Sequence, residues 1–289
     1  MPQTIATLPE PQARALMQAY QQAVAAKRRV TLLGGLVLIC LMAAAGWMAE
    51  LNPFKLVRRI GYFTDYFNQM AHLQDGPWVF SDPGEWFWGL KKWLLLLGDT
   101  LLMAYAGTLV GAIGAFCLCF LATKNLVRSA PLRFCIRRLL EFLRTVPDIV
   151  FALIFVWAFQ LGPLPGVLAI MVHTTGALGK LFSEVVENID MKPLHGIAAS
   201  GGSWFHQIRF GVLPQVLSNF VSYALLRFEV NVRGATVLGF VGAGGIGMTL
   251  YEAIEKSYYS DISAILILII VTVMVIDYAT EILRHRLLG

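Results

Sequence analysis

The chain has 289 residues, 57% of them hydrophobic and only 14% charged. A soluble domain carries roughly 25% charged residues, so the composition excludes an ordinary water-soluble enzyme and points to a membrane protein. The net charge of +5 would suggest nucleic acid in a soluble chain; here it reflects the Lys and Arg surplus kept on the cytoplasmic side of bacterial membranes, and no nucleic-acid partner is expected.

Residues 1–29 read as a cytoplasmic tail, with 9–29 suited to an amphipathic helix that groups Leu16, Met17 and Tyr20. Lys27-Arg28-Arg29 ahead of an apolar run superficially looks like a signal sequence. The run reaches spanning length, so an uncleaved anchor is expected instead. A span needs about 20 mainly apolar residues, and six segments qualify as candidates. They are Val30–Leu51, Trp93–Ala122, Leu139–Leu161, Val167–Val186, a stretch from Pro214 to the glycines at 242–247, and Ile262–Ile282. Residues 52–92 form an extracytoplasmic segment between the first two, and 93–286 form the core. The expected fold is therefore an all-α integral membrane protein of about six transmembrane helices.

Orientation follows from the basic residues. With the N-terminus inside, 15 of the 23 Lys and Arg fall on the cytoplasmic side. Lys55, Arg58, Arg59, Lys91, Lys92 and Lys256 fall outside, and Arg227 and Arg233 lie within the fifth apolar region. The bias places both termini and the 187–213 loop in the cytoplasm of a bacterial inner membrane.

Polar residues inside spans are costly and face protein or a cavity. His173, Thr174 and Thr175 lie midway along the fourth span, and Arg227, Glu229, Asn231 and Arg233 follow one another in the fifth. Glu229 and Arg233 are four apart and should meet on one helix face. Asn231 points roughly 160° away from Arg233. These seven are the candidate lining of a translocation path, with internal pairing and interhelical contacts as the plainer readings. Asp148 after Pro147 marks the start of the third span.

Gly242, Gly244, Gly245 and Gly247 spell GxGxxG, with Asp261 downstream at a ribose-binding distance. Nucleotide binding would require a βαβ unit around them. Membrane spans flank them instead, so a hinge or close helix packing is expected. Cys40, Cys117, Cys119 and Cys135 lack the partners of a zinc site and are read as packing residues. No metal, nucleophile–base pair or Walker-type loop is visible. The chain is expected to bind no cofactor and to catalyse no reaction.

Residues 195–214, HGIAASGGSWFHQIRFGVLP, carry more than a turn between spans requires. This segment resembles the signature of ABC-importer permeases, E-A-A-x3-G-x9-I-x-L-P. Gly201, Leu213 and Pro214 match at the required spacing, whereas His195, Gly196 and Ile197 occupy the E-A-A positions and Gly211 the I position. GPLPGVLAIMVHTTGALGKLFSEVVENID, GVLPQVLSNFVSYALLRFEVNVR and VLGFVGAGGIG are similar to the phosphonate-class permeases of that superfamily.

The resemblance implies a type I importer fold in which this loop forms a coupling helix docked on a cytoplasmic ATPase. His195, Gly196, Ala199, Gly201, Gly202, Trp204, Phe205, Arg209, Leu213 and Pro214 would make up that element. Trp204, Phe205 and Ile208 would supply an apolar anchor with Arg209 as its cationic edge. The implied assembly has two ATPase subunits that hydrolyse the ATP, a second permease copy and an extracytoplasmic binding protein. Its cargo would be phosphonate, phosphite or a related oxyanion. A permease for another solute, or a secondary transporter using Glu229 or His173 as proton carrier, stays open at this point.

Overall fold

The computed structural model describes residues 10–49, 53–74 and 76–288. It divides into two compact units, one ending at Tyr66 and the other running from Phe67. The described part of the first unit is helical. Helix α1 (Glu10–Met48) is a single 39-residue helix. No proline follows Pro11 within it, and Ala and Gln, both good helix formers, dominate its first half. At 1.5 Å per residue α1 is roughly 58 Å long, far more than the hydrocarbon core requires. No break separates the polar residues before Val30 from the apolar span. Leu16, Met17 and Tyr20 are all exposed on it. Helix α2 (Pro53–Met70) segregates Val57, Ile60, Phe63 and Phe67 from Lys55, Arg58 and Arg59 at helical spacing.

The second unit opens with a short irregular segment. Asp82 caps α3 (Pro83–Trp86), its Oδ1 accepting from Gly84 N at 3.0 Å and Glu85 N at 3.1 Å. Trp86 and Trp88 tie this segment to the far end of the chain, donating to Ser263 Oγ at 3.0 Å and Asp261 Oδ1 at 2.9 Å. Asp261 thus receives an indole N–H within the fold.

The remaining legs run α4 (Leu90–Ala122), α5 (Ala130–Thr145), α6 (Asp148–Phe159), α7 (Pro163–Glu187), α8 (Lys192–Ala199), α9 (Trp204–His206), α10 (Leu213–Leu238), α11 (Ile246–Glu255) and α12 (Tyr259–Leu288). Among the described residues four helices, α1, α4, α7 and α12, are long and apolar enough to cross a membrane. A fifth span arises if the helix through α10 and the short α11, bent by 47° at the glycine break, count as one. The expected third span does not form as one helix. Pro147 supplies no N–H and pushes Val146 out of the helical region. The segment therefore splits into α5 and a 12-residue α6.

Helices α4 and α7 pack with their backbones close together. A Cβ on Gly107 would lie 2.7 Å from Ile170 side-chain atoms, and one on Gly111 would lie 2.8 Å from Thr174 Cβ. Gly176 and Gly179 let α5 approach the other side of α7 in the same way, at Leu143 and Leu140. Within lipid, where apolar side chains gain nothing by leaving solvent, small residues at contacts are what permit dense helix packing.

Candidate functional site

The 187–213 loop is a folded element. Helix α8 ends in a paired Schellman arrangement, with Gly202 N donating to Ile197 O at 2.9 Å and Gly201 N to Ala198 O at 3.0 Å. Gly201 sits at φ +82°, a conformation that glycine adopts without strain. A Cβ on Gly202 would lie 2.5 Å from Ile197 Cγ2, so the second glycine is a matter of space. Ser203 and His206 form a reciprocal cap that starts α9.

Residues 207–212 then widen into a π turn, and Leu213 N donates to Ile208 O five residues back. Pro214 follows in the first turn of α10, and its absent donor explains why the turn before it can loosen. The proline inside a helical run was the sequence signal for this turn, which period-based reading missed.

The loop has an inner and an outer side. Leu194, Ile208 and Val212 are buried in one cluster with Phe182, Val186 and Phe220. Trp204 is half-buried and its Nε1 donates to Leu126 O at 3.2 Å. Trp204 and Ile208, expected in an outward anchor, therefore hold the loop to its own protein. The outer side carries His195, Gly196, Ala199, Gly201, Phe205 and Arg209, all exposed. Phe205 is 75% exposed, and Arg209 lies over the Phe210 ring at 5.5 Å.

The intramembrane polar residues separate into three groups. Asn231 is buried, and its Nδ2 donates to Thr108 Oγ1 at 2.8 Å and Thr174 Oγ1 at 2.9 Å. Thr108 is absent from the sequence-based list, although its position beside Gly107 on α4 was the available signal. Thr175 donates to Met171 O at 2.8 Å and stays within the α4–α7 contact.

The second group is a charge network between α10 and α12. Glu229 accepts from Arg233 at 2.6 Å, as the four-residue spacing requires, and lies 3.5 Å from Arg284. Arg233 also reaches Asp277 at 3.4 Å. Two acids and two bases balance here. The third group is His173 with Arg227, whose Nη2 donates to the His173 Nδ1.

The glycine motif packs backbone against backbone. Gly242, Gly244 and Gly245 take φ values of +85°, +79° and +74°. A Cβ on Gly247 would sit 1.8 Å from Thr236 O. Thr100 Oγ1 accepts from Ile246 N at 2.9 Å, so the break between α10 and α11 is capped by α4. The four cysteines are free, and only Cys119 is buried. Among the described residues no His, Cys, Asp and Glu group could hold a metal. A crevice of about 400 Å³ between α4, α10 and α12 is almost wholly carbon-lined, with Tyr105, Leu109, Phe228 and Leu283 in its walls. It is ill suited to an anion.

Residues 107–288 match the family described as the binding-protein-dependent transport system inner membrane component. The chain is 34% identical over 274 residues to the phosphite transport system permease protein PtxC of Stutzerimonas stutzeri, covering 92% of this chain and 97% of that one. It is 51% identical over 119 residues to the putative cryptic phosphonate transport system permease protein PhnE2 of Escherichia coli strain K12, covering 41% of this chain and 98% of the relative. Among solved structures, the inward-facing MetNI methionine ABC transporter aligns with a TM-score of 0.60 at 18% identity, covering 68% of this chain and 95% of the matched one. That likeness concerns the fold. A family match over more than half of the chain, a near end-to-end relative and this helical architecture agree: the chain belongs to the binding-protein-dependent transport system inner membrane components, as the permease of an ABC importer.

Proposed function

We propose that this permease imports phosphite, a phosphonate or a closely related phosphorus oxyanion. The near end-to-end likeness to a phosphite permease carries this reading. Two copies of the chain enclose the path, and both termini face the cytoplasm. Each copy seats the outer side of its 187–213 loop on one of two ATPase subunits. An extracytoplasmic binding protein delivers the anion. Phe205 is the apolar contact and Arg209 the cationic edge of the ATPase-docking face, while Trp204 braces the loop from within. The chain itself holds no cofactor, and ATP is hydrolysed by the partner subunits.

A secondary transporter would need a carboxylate or imidazole free to exchange protons. Glu229 is engaged by Arg233 at 2.6 Å and lies 3.5 Å from Arg284, so it is not free for that role. Uptake of labelled phosphite by cells with and without this subunit tests the proposal. The expected result is uptake that is lost on deletion and that, in cells with the subunit, persists through collapse of the proton gradient while ATP is preserved. Uptake that follows the proton gradient would establish the secondary-transport reading instead.

A further inference from the structure

Arg227 on α10 is half-buried, and among the described residues it combines a buried, unpartnered Nε with the absence of an ion-pair partner. It sits near the middle of α10, about half a span from either end of that helix. Among the described residues its one hydrogen-bond partner is His173, and no carboxylate lies within ion-pairing distance. Its Nε is buried and unpartnered. Arg284 has an unpartnered Nε too, but its guanidinium is paired to Glu229.

An arginine can only donate, so His173 Nδ1 must be the acceptor and the imidazole the neutral form with its hydrogen on Nε2. The Arg144 backbone carbonyl faces that ring from the end of α5. The pair therefore carries a full positive charge that its immediate partner does not cancel. Asp148 is the nearest compensation and interacts with both residues across space. Its Oδ1 is occupied by Ile149 N at 2.9 Å, and its Oδ2 faces Gly234. A guanidinium with no ion-pair contact and a spare buried donor is costly inside a membrane unless an anion visits it.

We infer that Arg227 and His173 form a transient oxyanion subsite of the permease. The guanidinium offers Nε–H and an Nη–H as a planar fork to two oxygens of a tetrahedral phosphorus anion. His173 holds that fork in place, and Asp148 opposes prolonged occupancy. This rests on the importer reading above and adds a binding step within the permease.

The test uses the complete permease–ATPase complex in phosphatidylcholine nanodiscs, without binding protein. Sodium phosphite is titrated against sodium chloride at equal ionic strength, and the unfolding temperature is read. Phosphite should raise it in the wild type by mass action. The rise should vanish in Arg227→Gln, shrink in Arg227→Lys, and be at least as large in Asp148→Asn. In proteoliposomes with loaded binding protein, Arg227→Gln should lose about tenfold or more of its uptake, the scale of one charged hydrogen bond. Its binding-protein-stimulated ATPase should persist, which shows an assembled complex.

No phosphite-dependent rise in the wild type overturns the subsite, including the case in which lipid phosphate already fills it. An equal rise in Arg227→Gln, or a smaller one in Asp148→Asn, overturns it as well. Wild-type uptake in the same proteoliposomes tests the importer reading separately.

Discussion

Asn231 gives both amide hydrogens to threonine hydroxyls on two other helices. Interhelical hydrogen bonds in membranes contribute only about 0.6 kcal/mol on average, up to about 1.7. Asn231→Ala should therefore destabilise the protein by about 1 kcal/mol, seen as a lower unfolding midpoint in detergent, without preventing insertion. Steric effects are larger at this scale. Gly247→Ala would press a methyl into the Thr236 carbonyl, whereas Gly98, with nothing within 4 Å, has room for one. Overpacking of this kind costs about 1–3 kcal/mol or more. Gly247→Ala should lower the folded yield while Gly98→Ala leaves it unchanged; equal yields would refute the packing role of the motif.

Among the elements, the 187–213 loop shows what can and cannot be read from residues in order. Gly201, Gly202 and Pro214 were legible because each answers a local backbone need: a left-handed cap, a close approach and a missing donor. The Glu229–Arg233 pair was legible from helical spacing alone. The sidedness of Trp204 was not, because it depends on Leu126, 78 residues away in the turn between α4 and α5. The break at Pro147 was hidden by the apolar residues on both sides of it, which satisfy a hydropathy window whatever the backbone does between them.

Two substitutions separate the loop's two sides. Phe205→Ala removes an exposed ring and should leave thermal stability unchanged while reducing binding-protein-stimulated ATPase by about tenfold, as loss of an interface anchor does. Trp204→Ala should lower the unfolding temperature, since it removes a half-buried ring and orphans the Leu126 carbonyl. Identical effects of the two on stability would contradict this division.

For the whole molecule, the alternation of the legs places the C-terminus at the same end as the loop. Ser218 Oγ, at the start of α10, donates to Leu287 O at 3.0 Å. Lys256 lies at the opposite end, between α11 and α12. In a cysteine-free background, Cys introduced at Lys256 should react with an impermeant thiol reagent added to spheroplasts. Cys introduced at Phe205 should react only after lysis, and reaction from outside at 205 would reverse the orientation. The amide of Asn231 bears on movement at this scale too. By joining α4, α7 and α10 at one depth, and with glycines removing slack between α4 and α7, it makes these three legs a stiff strut. A strut transmits a push from one end to the other without absorbing it, and it offers no bore along its axis. Three legs pinned in this way can shift together as a body but not slide past one another at that depth.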